Sequence, residues 1–198
     1  QLAAIQGREA LPSGTAHDQW VRFRKNRVGG SDIGAICGWN PWCSPAEKFA
    51  LMTGHKEPAP ATLAMRAGLA TEAFILDEGF ADPNRPGRLC SFGPKIGTVT
   101  HTEHMWAIAN PDAMATIELD GIAQLCVVDA KRVGHWAKEH WFDENGEQAA
   151  PAHYRAQIAW YCWVLQVDLG VIVALVDDKD LLFRVTLPSA SCSLIADR

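Results

Sequence analysis

The chain has 198 residues, 48% of them hydrophobic, and a formal net charge of −5. This length and composition predict a single folded domain with a sizeable core. The chain has no uninterrupted apolar run of the about 18 residues that a membrane-spanning helix needs. The acidic balance disfavours a protein that coats nucleic acid over its whole surface, but it leaves room for one with a local basic path.

The six cysteines are scattered, and no two of them form a C-x-x-C pair. Cys126 and Cys162 lie inside apolar runs, as free buried cysteines do. This pattern predicts a reduced, cytoplasmic protein and not a secreted disulfide scaffold. The chain begins at Gln1 without the layout of a signal peptide. We expect that its start has been trimmed and that a C-terminal tail is missing.

The first 88 residues are predicted to be mainly helical. Ser13 or Thr15 is expected to cap the first helix, and Ser31 the second. Ser44 and Pro45 are residue types that open a third helix. A longer fourth helix has apolar residues at helical spacing. The predicted helices span residues 13–27, 32–37, 45–53 and 61–80.

From residue 89 the pattern changes to short apolar strands bounded by turn residues. One amphipathic helix over 151–167 interrupts them. This order predicts an α/β fold of the mixed α+β type, with a central mixed β-sheet flanked by helices. We expect one domain over 1–198, divided into a helical part (1–88) and a sheet part (89–187). The predicted strands span residues 97–101, 104–109, 121–133, 170–176 and 181–187.

The most informative segment is the tripeptide Asp129-Ala130-Lys131 within an apolar strand. Residues two apart on a strand share one face, so a carboxylate and an ammonium lie side by side. Asp112, after Asn110-Pro111, supplies a second carboxylate before this strand. Two carboxylates that hold Mg²⁺ and a lysine that orients water are what metal-dependent phosphodiester hydrolysis requires. Taken alone, the tripeptide is also typical of a surface ion pair.

Two predicted helices carry polar residues at i, i+4 spacing. Glu72 follows Gly68 by four residues, so a carboxylate lies one turn from a position without a side chain, where another backbone or DNA can come close. Gln157 and Tyr161 share a face of the helix after the Asp-x-Lys strand. An amide and a phenol placed together can reach a phosphate oxygen, a base edge or a water, or can hydrogen-bond to the sheet.

A basic run over 22–27 precedes the expected cap at Ser31. A helix N-terminus with free N–H groups favours an anion. Arg24 can bind that anion through two hydrogen bonds. Arg24 and Ser31 are therefore candidates for a phosphate pocket, although a basic run of this kind also forms solvated helix faces.

The order and spacing of these motifs resemble the lambda-exonuclease type of viral recombinase nuclease, the YqaJ-like family of the PD-(D/E)xK superfamily. The resemblance covers about residues 20 to 187. The chain departs from the family pattern at Ala113, where Gly is usual, at Asp129, where Glu is usual, and at Arg132, where Thr is frequent. The matching motifs are Trp20-x-x-x-Arg24, Gly29-Gly30-Ser31-Asp32-Ile33, Gly68-x-x-x-Glu72, Asn110-Pro111-Asp112, Asp129-Ala130-Lys131 and Gln157-x-x-x-Tyr161.

The resemblance implies a restriction-endonuclease-like core and a deoxyribonuclease that depends on Mg²⁺ or Mn²⁺. It implies 5′-to-3′ degradation of double-stranded DNA, which leaves 3′ single strands for homologous recombination and single-strand annealing. The implied partners are double-stranded DNA ends and a single-strand annealing protein. The implied assembly is a homo-oligomer, a ring-shaped trimer.

The resemblance also implies a role for each motif residue. Asp112, Asp129 and the backbone carbonyl of Ala130 would bind one metal ion, and Glu72 would reach a second. Lys131 would position and activate the attacking water. The implied supporting residues are Gln157 at that water, Arg24, Ser31 and Asn110 at the 5′-phosphate, and Tyr161 at the substrate.

Two alternatives stay open. A Cas4- or RecB-like nuclease with an iron–sulfur cluster needs four cysteines, typically three of them near the C-terminus, where this chain has Cys192. A catalytically weak DNA-end-binding module would account for the departures from the family pattern. Core or interface positions are the simpler expectation for the four tryptophans that could stack on a duplex end. These are Trp39, Trp42, Trp136 and Trp141.

Overall fold

The structure is a computed structural model that describes residues 7–81, 88–93, 95–119, 121–177 and 181–188. This part of the chain holds five α-helices and one 3-10 helix. The 3-10 helix spans His135–Trp141. The α-helices are α1 (His17–Arg24), α2 (Gly30–Ile36), α3 (Pro45–Met52), α4 (Leu63–Ala81) and α5 (Ala152–Leu165).

The strands form two mixed sheets. The smaller has the order β1-β4-β5-β2 and the larger the order β3-β6-β7-β8-β9. In the larger sheet β7 and β8 run parallel, and the other neighbours are antiparallel. The strands are β1 (Ala10–Leu11), β2 (Val28–Gly29), β3 (Arg88–Gly93), β4 (Thr98–Thr100), β5 (Ala107–Ala109), β6 (Ala113–Leu119), β7 (Ile122–Val133), β8 (Leu169–Val176) and β9 (Leu181–Pro188).

The predicted fold class is confirmed, because mixed sheets are flanked by helices. The structure corrects one detail: β4 and β5 belong to the smaller sheet and do not continue the larger one. The larger sheet separates two cores. On one face α5 contributes Ile158 and Val164 beside Val127 of β7. On the other face α4 contributes Ile75 beside Val128. Adjacent residues of β7 therefore face opposite cores, as the pleat of a strand requires.

The predicted helices are present, but two of the expected caps are wrong. The residue before α1 is Ala16, which makes no side-chain cap, and the Thr15 hydroxyl donates instead to the carbonyl of Pro12. Helix α2 begins one residue before Ser31, and the Asp32 carboxylate accepts the backbone N–H of Gly29 at 2.9 Å. The carboxylate at the third helical position therefore satisfies the N–H of the cap residue, as the third residue of a capping box does. The Ser44 cap is confirmed, since its hydroxyl accepts the N–H of Glu47.

Strand β6 was not predicted from the sequence. Its first three residues, Ala-Met-Ala, are all apolar because this end of the strand is buried on both faces. The residues from Ala115 to Leu119 alternate between apolar and polar types. The strand pairs antiparallel with β7, and Ala113 lies opposite Val128. The consequence for function is that Asp112 lies at the beginning of a central strand, next to the middle of β7.

Some predicted features lie outside the described residues. They are Cys192 and the residues between the last two predicted strands, 178–180. In the described part of the chain, no helix combines the length and the hydrophobicity needed to cross a lipid bilayer.

Candidate active site

Strand β7 carries an ion pair at its centre. Asp129 is 2% exposed, and Lys131 Nζ lies 2.5 Å from its Oδ2. This contact is an ion pair, and Oδ2 is fully buried. The other oxygen, Oδ1, accepts a hydrogen bond from Gln157 Nε2 of α5 at 3.2 Å. Because Asp129 and Lys131 face α5, the pair is enclosed between sheet and helix.

Asp112 lies directly beside this pair. Its Oδ2 accepts the backbone N–H of Ala130 at 2.9 Å, and its own N–H donates to the carbonyl of Val128. The residue before β6 is thus tied at two points to β7. The carboxylates of Asp112 and Asp129 therefore come from neighbouring strands and lie on either side of the Ala130 peptide.

A third carboxylate reaches this region from α4. Lys95 Nζ donates to Glu72 Oε1 at 2.9 Å and to Asp112 Oδ1 at 3.2 Å. We call Glu72, Asp112 and Asp129 the acidic centre. Lys95 was missed in the sequence, because it stands alone in the short segment before β4 and belongs to no motif. A lysine that bridges two distant carboxylates leaves no local pattern in the sequence.

The acidic centre shifts the pKa values of its members. Burial raises the pKa of Asp129 to about 7, against the lowering effect of the Lys131 ammonium. Burial and the Asp112 carboxylate raise the pKa of Glu72. Burial lowers the pKa of Lys95, but the carboxylates of Asp112 and Glu72 outweigh it, and the net pKa is raised. Burial lowers the pKa of Lys131, but the carboxylates of Asp129 and Asp112 outweigh it, and the net pKa is raised. Both lysines are therefore ammonium ions at neutral pH, whereas Asp129 gains and loses its proton in this pH range.

The acidic centre suits a hard divalent cation. Among the described residues, no three His, Cys, Asp or Glu side chains converge on one point. Mg²⁺ does not require three, because it is commonly bound by one or two carboxylates together with waters and substrate phosphates. The donor set consists only of oxygen atoms, and the Oδ2 of Asp129 is buried beside the Lys131 ammonium. Asp112 and Asp129 therefore fit such an ion, with Glu72 close by.

We predict that divalent-cation binding strengthens as the pH rises through 7. A proton and a cation compete for the same oxygens of Asp129, whose pKa is about 7. The ionised fraction rises from about 0.1 at pH 6 to about 0.9 at pH 8, so the affinity for Mn²⁺ should rise about tenfold. Calorimetric titration at the two pH values measures this change. Asp129→Asn should abolish the pH dependence, and an equal slope in that variant would contradict the assignment to Asp129.

A second site, the Arg24 cleft, opens beside the acidic centre with a volume of about 50 Å³. Helices α1, α2 and α5 and the segment between β5 and β6 bring its walls together. The candidate substrate residues Arg24, Ser31, Asn110 and Tyr161 all lie in these walls. The full lining is Trp20, Arg24, Gly29, Gly30, Ser31, Thr98, Ile108, Asn110 and Tyr161.

Arg24 is held in place from three sides. Its Nη2 donates to Asp32 Oδ1 at 2.7 Å and to Ser31 Oγ at 3.2 Å. Its guanidinium lies 5.0 Å from the ring centre of Trp20. Lys48 also donates to Asp32, at 3.0 Å. Burial raises the pKa of Asp32, but Arg24 and Lys48 outweigh it, and the net pKa is lowered. A permanently ionised aspartate thus fixes the guanidinium at the cleft.

The rest of the basic run over 22–27 does not form one positive patch. Arg22 pairs with Asp18, and Arg27 pairs with Glu9. Arg24 is the basic side chain of this run that lines the cleft. Trp20 is a further cleft residue to which we assigned no role in the sequence. Its i, i+4 spacing from Arg24 on a helix was the signal.

One amide connects the two sites. Gln157 Nε2 donates to Asp129 Oδ1 in the acidic centre and also, at 3.0 Å, to Tyr161 Oη in the cleft wall. Burial raises the pKa of Tyr161 well above its usual value. The phenol is therefore protonated, and because its oxygen accepts from Gln157, its own proton is free to be donated.

Gly30 allows Tyr161 to lie in the cleft wall. A Cβ at position 30 would come within 2.4 Å of Tyr161 Cε1. We predict that Gly30→Ala destabilises the protein by about 1–3 kcal/mol, because the buried ring must move. Gly68→Ala is the matched control, since a Cβ there meets nothing within 4 Å and alanine favours a helix. Urea unfolding of both variants tests this; a neutral Gly30→Ala would contradict it.

The tryptophans divide between core and surface. Trp141 is 1% exposed and belongs to the core, so it cannot stack on DNA. Trp39, Trp42 and Trp136 are exposed to 38%, 68% and 93%. Trp42 packs against the edge of His153, whereas the most exposed of the three lies in the 3-10 helix.

Solved structures share this fold. An alkaline exonuclease (LHK-Exo) from Laribacter hongkongensis aligns with a TM-score of 0.60 and 12% identity over 91% of each chain. A phage related exonuclease from Haemophilus somnus 129PT aligns with a TM-score of 0.56 and 14% identity, over 86% of this chain and 89% of that chain. At such identities the likeness is one of fold.

Sequence comparison identifies the family. The uncharacterized protein YqaJ of Bacillus subtilis (strain 168) is 25% identical over 157 residues, which are 79% of this chain and 44% of that protein. The chain thus spans less than half the length of this curated relative. Residues 19–168, which contain all the candidate site residues, match the YqaJ-like viral recombinase domain. The chain belongs to the family of YqaJ-like viral recombinase domains.

Proposed function

We propose that the protein is a Mg²⁺-dependent exonuclease that degrades double-stranded DNA from 5′-phosphorylated ends and leaves 3′ single strands. One observation carries this proposal: a cleft with a fixed arginine adjoins a carboxylate–lysine centre, and Gln157 is hydrogen-bonded to both. Family membership supports it, and so do two structural neighbours that are named exonucleases.

The acidic centre performs the hydrolysis. Asp112, Asp129 and the Ala130 carbonyl would hold one divalent cation with Glu72 near a second, and such ions supply positive charge to a phosphate and acidify a bound water. Lys131 is protonated, so it orients the attacking water and stabilises the negative charge that develops as the oxygen attacks phosphorus. Gln157 holds Asp129 by Oδ1, and the Lys131 ammonium lies at Oδ2.

The Arg24 cleft recognises the DNA end. A terminal phosphate carries more charge than an internal one, and a guanidinium whose planar face is held by Trp20 and whose edge is held by Asp32 is aligned to receive it. Ser31, Asn110 and the free proton of Tyr161 add neutral donors at the same wall. With the 5′ end held beside the acidic centre, hydrolysis begins at that end and proceeds 5′ to 3′.

The DNA-end-binding module is the second candidate function. The observation that favours it is that Lys95 and Lys131 already pair with the three carboxylates of the acidic centre. Such a protein would bind 5′-phosphorylated ends without turnover. The iron–sulfur nuclease is the weaker alternative, because the family match is to the YqaJ-like domain.

The wider setting is proposed on the same basis. We place the activity in the cytoplasm, in one nuclease domain, with double-stranded DNA ends as substrate. The single-strand annealing partner and the homotrimer are proposals that rest on family membership.

The test is degradation of linear duplex DNA that carries either a 5′-phosphate or a 5′-hydroxyl, with Mg²⁺, with Mn²⁺ or with a chelator. A label at the 5′ end should be released first and a label at the 3′ end last. Release should require metal, and it should be faster from 5′-phosphorylated DNA than from 5′-hydroxyl DNA. Cutting that ignores the end would overturn the end-recognition role of Arg24. End binding without cutting under either metal would establish the binding module instead.

A further inference from the structure

Lys95 holds together two carboxylates that come from distant parts of the fold. Its ammonium is 2.9 Å from Glu72 of α4 and 3.2 Å from Asp112 at the start of β6. The three side chains are shielded from water, with 28%, 22% and 13% of their surface exposed for Lys95, Glu72 and Asp112. This contact is therefore more than a solvent-screened surface pair.

The ammonium occupies the space between the two carboxylates. A Mg²⁺ ion would need oxygens at about 2.0–2.1 Å, and no ion can approach both carboxylates this closely while Nζ lies between them. The three carboxylates of the acidic centre carry three negative charges, and Lys95 and Lys131 carry two positive charges. Exchange of Lys95 for a divalent ion would remove this excess of one negative charge and leave the centre neutral.

The backbone beside Lys95 is fixed, so the side chain alone can make the exchange. Ile96 packs against the core. Gly97 has a φ of +82°, and a Cβ there would lie 2.2 Å from the Leu11 carbonyl oxygen. Lysine has a flexible four-carbon stem and a strongly hydrated head, and 28% of this side chain already faces solvent. Rotation about the stem would carry the ammonium into water and leave the carboxylates in place.

We propose that Lys95 is an internal counter-ion which competes with the divalent cation for Glu72 and Asp112, so that metal enters this part of the acidic centre only as the lysine leaves. The inference rests on the proposed metal-dependent function. It gives Lys95 a role beyond the motif residues: it keeps like-charged carboxylates together in the metal-free protein and sets how tightly the metal is held.

The first test is titration of the whole chain with Mn²⁺ alone, without DNA, by calorimetry. Lys95→Met keeps the stem and removes the charge, and it should bind Mn²⁺ about tenfold tighter or more, because charge-assisted hydrogen bonds no longer have to be broken. Lys56→Met is the matched control: it removes the same charge from an exposed lysine paired with Glu47, and its affinity should stay within about twofold of the wild type.

The second test needs no substitution. Saturating Mn²⁺ should raise the acetylation rate of Lys95 in the wild type several-fold, as read by mass spectrometry, while Lys56 stays constant. Unchanged or weaker Mn²⁺ binding by Lys95→Met, or Lys95 labelling that ignores Mn²⁺, would overturn the counter-ion role while leaving the nuclease proposal intact. Absence of any Mn²⁺ binding in the wild type would overturn both.

Discussion

Lys131→Met is expected to lower kcat for DNA degradation by about 10³-fold while binding of 5′-phosphorylated ends stays within about twofold. Loss of one positioned charge at the reacting phosphate typically costs about 10²–10³ in kcat. The Arg24 cleft retains all its residues, so ground-state binding should persist. Single-turnover rates and end-binding titrations measure the two quantities separately.

The substitution also leaves Asp129 buried without its ion partner, which costs about 3–5 kcal/mol where a buried pair is broken on one side. The double variant Asp129→Asn, Lys131→Met removes both charges and should recover most of this stability but none of the activity. Lys56→Met serves as the control for the charge change. If Lys131→Met kept more than a tenth of the wild-type rate, the proposal that Lys131 takes part in hydrolysis would be wrong.

Arg24→Gln is expected to eliminate the preference for 5′-phosphorylated ends. A hydrogen bond to a charged group contributes about 1.5–3 kcal/mol, so two such bonds to the terminal phosphate correspond to a loss of about 10²-fold or more in kcat/KM on phosphorylated DNA. DNA with a 5′-hydroxyl end should be degraded at nearly the wild-type rate. The fold is expected to survive, because Lys48 remains 3.0 Å from the buried Asp32.

The matched control is Arg22→Gln, which removes an exposed arginine from the same helix, one paired only with its neighbour one turn away. It should leave the ratio of rates on the two ends unchanged. Equal losses on phosphate and hydroxyl ends in Arg24→Gln would mean that the guanidinium steers DNA in general. In that case the cleft would not be an end-recognition pocket.

The parts of the site that follow a local period were predictable from the sequence. The alternation of β7 placed Asp129 and Lys131 on one face, and the helical spacing of α5 placed Gln157 beside Tyr161. These patterns are local because strand and helix geometry repeat every two residues or every 3.6. The fold class followed from the order of the elements in the same way.

The parts that depend on long-range contact were not predictable. Lys95 meets Glu72 across 23 residues and Asp112 across 17. Nothing near Lys95 in the sequence marks it. Strand β6 was missed although Ala115 to Leu119 alternate between apolar and polar residues; its first three residues are all apolar because they are buried on both faces. At α2 the cap residue is Gly29, and Asp32 at the third helical position accepts its N–H while it also pairs with Arg24 and Lys48.

The hydrogen bonds of Gln157 fix the distance between the two sites along a single turn of α5. Residues 157 and 161 are separated by about 6 Å along the helix axis, and this rigid step joins the wall of the proposed end-binding cleft to Asp129, a proposed metal ligand. Because a packed helix hardly stretches, the distance between the bound 5′ end and the hydrolysed phosphodiester should be the same in each cycle of cleavage. We therefore expect fragments of uniform length, with the stride set by the protein and not by the DNA sequence.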